Sequence, residues 1–194
     1  MSDLTSLDPS APIFDELRAR YREPQRHYHT MEHVDELLGL LDALRLHATH
    51  VDRIAWAIWF HDAVYDPTRP DNEAKSAELA QQCLPGLGLD PADVEAVARM
   101  VLATAGHQWR DGVADTALFL DLDLSILGAR PERYDAYVAQ VRGEYAFVPE
   151  QTFVLKRREL LRAWLARSSL YFTDVGRTRF EAAARDNIAR ELAR

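Results

Sequence analysis

Residues 55–66 read AWAIWFHDAVYD, and the fold turns on how this stretch is taken. Ile54 to Phe60 is an apolar run with no charged residue, and Ala63 and Val64 continue it. A helix apolar on nearly all sides is a buried helix, packed by neighbours all round. His61 and Asp62 sit together at its end, just before Pro67. Two titratable groups in such a setting are costly unless something compensates them. A bound cation does so, because neutral imidazole and carboxylate are both metal ligands. A surface corner, where the helix breaks before the proline, is the alternative for an isolated His-Asp pair.

Working outward, apolar residues recur at helical spacing on both sides. Val34, Leu37, Leu38, Leu41 and Leu44 predict a helix over about 31–46, with Thr30 as its N-cap and His33 on the inward side. Pro12 opens a shorter helix of about 12–22, and the central one spans about 50–64. Further helices are expected over about 72–83, 91–104, 131–145 and 150–168. A last amphipathic helix follows Gly176, with Phe180, Ala184, Ile188 and Leu192 on one face. DTALFLDLDLSIL at 115–127 alternates like a strand, but Phe119, Leu122 and Ile126 also form a helical stripe, and helix is preferred among helical neighbours. The expectation is an all-α fold of about nine helices with no secure β-strand: a loose stretch over 1–11 and a single domain over 12–194.

Composition narrows the function classes. The chain has 194 residues, 47% of them hydrophobic, enough for a proper core. Its net charge of -8 argues against a nucleic-acid polymer as partner and gives no support for an anionic membrane. Cys83 is the lone cysteine, so no internal disulfide can form. No apolar run approaches the roughly 18 residues of a membrane span, and the start, MSDLTSLDPSAP, does not read as a secretory signal. A cytoplasmic protein is the expectation. Tyr134, Tyr137 and Tyr145 on the 131–145 helix are either core or the face of a homodimer.

The ionisable residues in apolar settings are His33, His61, Asp62, Asp121 and Asp123. An antiparallel helix pair with a short connection brings His33 near His61-Asp62. Asp121 and Asp123 point about 200° apart on a helix, so at most one of them faces a shared site. Two imidazoles and two carboxylates make a mixed N/O shell suited to manganese, iron, cobalt, nickel or zinc, and less purely to magnesium. Cationic partners for an anionic substrate would be Arg26 and Lys75, one on each side of the pair in sequence, whereas Arg157, Arg158 and Arg162 read as a solvated face. His29, one turn before His33, and Glu73, in the first turn of its helix, are candidate acid/base groups. His107, in a loop between helices, is a candidate fifth ligand or contact to an anionic substrate. His27, His47 and His50 read as exposed.

This H…HD…D order, with every segment helical, resembles the HD superfamily of metal-dependent phosphohydrolases. The wording RHYHTMEHV at 26–34, WFHDAVYD at 59–66, DNEAKSA at 71–77 and LDLDLSILG at 120–128 is similar to one small, mostly uncharacterised bacterial group within it. The resemblance implies His33, His61, Asp62 and Asp123 as the ligands of one divalent ion. Asp123 is preferred to Asp121 because the family's last ligand tends to be the second aspartate of a D-x-D. It implies hydrolysis of a small phosphorylated metabolite, most often a nucleotide, by metal-activated water, with Asp62 also orienting that water. A di-iron oxygenase of the same superfamily would need further histidines between the HD pair and the last aspartate, and only His107 lies there. A non-catalytic ligand-binding or sensor domain is the third reading, against which the intact ligand set speaks. The GYP signature of cyclic-dinucleotide cleavage is missing.

Overall fold

The computed structural model describes residues 11–194, and among them every regular element is helical. The helices are α1 (Pro12–Arg20), α2 (Met31–Leu44), α3 (Val51–Phe60), α4 (Asn72–Cys83), α5 (Pro91–Ala103), α6 (Ala114–Asp123), α7 (Pro131–Glu144), α8 (Glu150–Leu165) and α9 (Asp174–Leu192). Short 3₁₀ segments extend α2, α4 and α6 at Arg45–His47, Leu84–Leu87 and Leu124–Gly128. The all-α expectation is met, and 115–127 is helix followed by 3₁₀. The expected loose segment 1–11 lies, apart from Ala11, outside the described residues. No described helix is long and apolar enough to cross a membrane.

The chain divides into two compact units, with the boundary inside α6 between Leu120 and Asp121. In the first, α3 is the axis: eight of its residues, Val51, Ile54, Ala55, Trp56, Ala57, Ile58, Trp59 and Phe60, are buried. It packs against α2 and α5, and α4 packs against α5. Phe14 of α1 stacks on Trp56 at 5.4 Å and meets Trp59 edge-on at 4.8 Å. The N-terminal end of α3 is tied down by Asp115, whose carboxylate accepts the backbone N–H groups of Thr49 (2.7 Å) and His50 (2.9 Å). Those donors have no partner inside the helix, and the carboxylate supplies one at the positive end of the dipole.

In the second unit α9 lies on the Leu124–Gly128 segment and against α8. Gly128 allows that approach: a Cβ there would stand 2.8 Å from the Phe180 Cβ and carbonyl oxygen. Asn187 donates to the Leu127 (2.9 Å) and Ala129 (2.8 Å) carbonyls, closing the same seam. Tyr134 and Tyr137 are buried, so this part of α7 is core. Arg157 departs from the expected solvated face. Its guanidinium is nearly buried, bonded to Glu191 (2.9 Å) and to the Tyr137 hydroxyl (3.0 Å). Helix α9 also starts earlier than expected: Thr173 caps it by accepting the Gly176 N–H at 2.9 Å, which puts Gly176 in the first turn.

Candidate metal centre

The apolar helix α3 ends at Phe60, and the chain turns sharply through His61–Asp66. A helix end leaves its last carbonyls without intrahelical donors, and in a buried corner each needs one. Here the chain supplies them in series. The Ala57 carbonyl accepts the His61 N–H, and the Ile58 carbonyl lies 2.8 Å from His61 Nδ1. Trp59 accepts from the Tyr21 hydroxyl at 3.0 Å, and Phe60 from the Ala63 N–H. The Asp62 and Ala63 carbonyls accept from Arg26 at 2.7 and 3.3 Å. Val64 exchanges both its backbone groups with the Ser76 hydroxyl, and Tyr65 accepts from Gln25. Asn72 takes the Asp66 N–H and returns a bond to its carbonyl. The corner is thus a braced loop.

The bond to Ile58 has a chemical consequence. A carbonyl only accepts, so His61 Nδ1 carries a proton, and whenever the ring is neutral its lone pair is on Nε2. That atom lies 3.2 Å from His33 Nε2 and 2.8 Å from Asp62 Oδ2. The third side, His33 Nε2 to Asp62 Oδ2, is 4.0 Å. Both histidines are buried, with exposures of 2% for His33 and 1% for His61. One nitrogen from α2, one from the end of α3 and one carboxylate oxygen therefore converge on a point. A proton can bridge only two of them at a time, whereas a divalent ion can bind all three. Ligand atoms held about 2.0–2.2 Å from one ion in neighbouring positions stand about 3 Å apart. Two sides of the triangle match that spacing, and the donor set fits a transition metal. The corner also lies at the negative end of the α3 dipole, which favours a cation. Among the described residues this is the one group of three or more His, Cys, Asp or Glu side chains whose ligand atoms all lie within 4.8 Å of one another.

The other predicted residues fall out differently. His29 is half-buried, with its ring 6.2 Å from that of His33 and 4.3 Å from that of Tyr65. It stands beside the His33 ring, but α2 begins only at Met31, so His29 lies before the helix and the helical turn from His29 to His33 that the spacing suggested is not formed. Tyr28 is buried and packs its ring 4.8 Å from His33. Glu73 is half-buried in the first turn of α4. Lys75 lies on the exposed side of α4 and pairs with Glu78 at 2.7 Å. His107 is a half-buried loop residue with φ of 49°, and it is not part of the metal-ligand group. His27, His47 and His50 are exposed as expected, and His50 pairs with Asp115.

Arg26 needs correction. The sequence placed it as an anion contact, yet its side chain is fully buried, and its donors go to Glu23 (3.1 Å) and the carbonyls of His29, Asp62 and Ala63. It is a brace of the corner. Sequence reasoning also missed Asn72 and Ser76. The signal was available: two small polar residues one helical turn apart, at the start of the helix that follows the HD loop.

The D-x-D pair belongs to the second unit. Asp121 is 1% exposed, and its oxygens accept the Phe172 N–H (2.7 Å), the Thr173 N–H (2.8 Å) and the Thr173 hydroxyl (2.6 Å). Burial pushes its carboxyl above the ordinary value, against the pull of the Thr173 hydroxyl, the two amides and Arg177. Gly176 makes room for it, since a Cβ there would stand 2.7 Å from the Asp121 Cγ. Asp121 is therefore a structural acceptor. Asp123 is the half-buried last residue of α6.

No family model, curated protein or solved structure matches the chain.

Proposed function

We propose that the chain is a cytoplasmic, metal-dependent phosphohydrolase of the HD type, acting on a small phosphorylated metabolite, with a nucleotide as the first class to test. The observation that carries this reading is the convergence of His33 Nε2, His61 Nε2 and Asp62 Oδ2 at 3.2, 2.8 and 4.0 Å, with the His61 lone pair fixed by the Ile58 carbonyl. The residue order H…HD…D gives the reading its chemistry. One divalent ion per chain is proposed, with Asp123 as fourth ligand from the sequence order. Asp121 is set aside because its oxygens are committed to residues 172 and 173.

Bound there, such an ion polarises a phosphoryl oxygen and lowers the pKa of a water. The chain's own residues do the rest. Asp62 would act as ligand and, through its carboxylate, would orient that water. His29, half-buried beside Tyr65, is the proposed proton donor to the leaving oxygen, with Glu73 as the other proton-transfer candidate. Arg26 and Lys75 are given no part in phosphate binding.

The test is phosphate release from a panel of nucleotides and sugar phosphates, by protein reconstituted with manganese, beside Asp62→Ala. Turnover by the wild type that is lost in the variant supports the reading. Equal release by both chains, or none from a fully metallated wild type, overturns it.

A further inference from the structure

We infer that Arg26 is the positioning residue of the His33–His61–Asp62 centre; the inference rests on reading that cluster as a metal site. The guanidinium is a rigid planar fork, and this one is shared among three backbone carbonyls. Nη1 donates to His29 (3.1 Å) and Asp62 (2.7 Å), and Nη2 to Ala63 (3.3 Å). His29 lies immediately before the Thr30 N-cap of α2, the helix that carries His33 in its first turn. Asp62 and Ala63 follow His61. One side chain therefore joins the approach to one ligand with the peptide of another.

Two further features hold the fork in place. Nε donates to Glu23 at 3.1 Å, and the guanidinium carbon lies 5.1 Å from the Tyr21 ring and 5.3 Å from the Tyr65 ring. Tyr21 itself bonds the Trp59 carbonyl at the end of α3. Arg26 is thus locked from both sides and reaches the Asp62 backbone with its shortest bond. Only two side-chain torsions separate the Asp62 backbone from Oδ2, so a shift of the corner moves Oδ2 relative to the two imidazoles. Lysine cannot replace it: an ammonium is a point charge without the planar fork.

Groups that orient metal ligands without touching the ion typically cost about 10- to 100-fold in metal affinity when removed. The experiment is a Co²⁺ titration followed by visible absorption, with far-UV circular dichroism for helix content. It compares wild type, Arg26→Lys, Arg26→Met, Glu23→Gln and Asp62→Ala. The expected result is one saturable Co²⁺ site in the wild type and none in Asp62→Ala. Both Arg26 variants should weaken binding by about 10-fold or more and show an altered spectrum at saturation, with helix content kept. Glu23→Gln, which removes the charge at the Nε end of the fork and leaves only a neutral amide oxygen to accept there, should weaken binding several-fold. Wild-type affinity and spectrum in Arg26→Lys would overturn the positioning role while leaving the metal reading intact. Should both Arg26 variants fail to fold, Glu23→Gln decides: a several-fold loss supports the role, and unchanged affinity overturns it. No Co²⁺ uptake by the wild type, or equal uptake by Asp62→Ala, would instead overturn the metal reading itself.

Discussion

Asp62 and Asp121 both follow an apolar helical run, and their oxygens meet opposite company. Asp62 Oδ2 faces two imidazole nitrogens, 2.8 and 4.0 Å away. Asp121 faces two backbone N–H groups and a hydroxyl, all within 2.8 Å. The first set, with both imidazoles neutral and Nε2 unprotonated, would be a group of lone pairs for a cation to complete. The second is a set of donors that a carboxylate completes by itself. A charged residue in apolar sequence therefore marks a demand for compensation, and the partner's polarity decides whether the outcome is a ligand site or a structural brace.

The comparison breaks most sharply on Asp62. Asp62→Ala should remove metal retention and turnover altogether, with helix content nearly intact. Full metal content in that variant would misplace the site. Asp121→Ala should do the reverse. It strands three donors and should cost about 2–4 kcal/mol in urea unfolding, with the metal retained. Asp123→Ala, by contrast, should release the ion, and equal metal loss in the two variants would erase the distinction drawn within D-x-D.

Gly176→Ala sharpens the same contrast without touching a charge. Its Cβ would push directly on the Asp121 carboxylate. Overpacking of this kind costs about 1–3 kcal/mol, and metal affinity should not change. A neutral Gly176→Ala would show that the Asp121 brace is looser than its hydrogen bonds indicate.

The smallest effect is a pH dependence at Glu181. Burial raises its carboxyl, but the Ser169 hydroxyl, the Leu170 amide, Arg185 and the Tyr171 amide outweigh burial and hold it below its ordinary value of 4.5. A lowered folded value means the contribution is present above pH 4.5 and lost as pH falls through the folded value. The urea midpoint of the wild type should exceed that of Glu181→Gln at pH 7, and the gap should close below pH 4.5. A gap that widens on acidification would contradict the assignment.

Much of the fold was legible because it rests on periodicity. The α3 run is apolar on all sides and buries eight residues, and His33, a turn before Leu37, is buried as its face required. The approach of His33 to His61 follows from the pairing of α2 with α3, whereas Asp62 lies in the turn beyond α3, where helical phase sets no direction. What sequence could not show depends on contacts between distant loops. Arg26 is a cation before a histidine-rich segment, and nothing local distinguishes a phosphate contact from a buried fork on three carbonyls. Arg157 looked solvated because its neighbours on α8 are charged, while its partners Tyr137 and Glu191 lie on other helices. Asp115 and Asp121 hold loops at residues 49–50 and 172–173, and their own surroundings in the chain carry no trace of those partners.

The central claim is that His33, His61 and Asp62 hold a metal ion, and the most direct test is elemental analysis of the purified chain beside Asp62→Ala. About one transition-metal ion per chain is expected in the wild type, and a large loss in the variant. No metal in the wild type after reconstitution with manganese, or the same content in both chains, would contradict it.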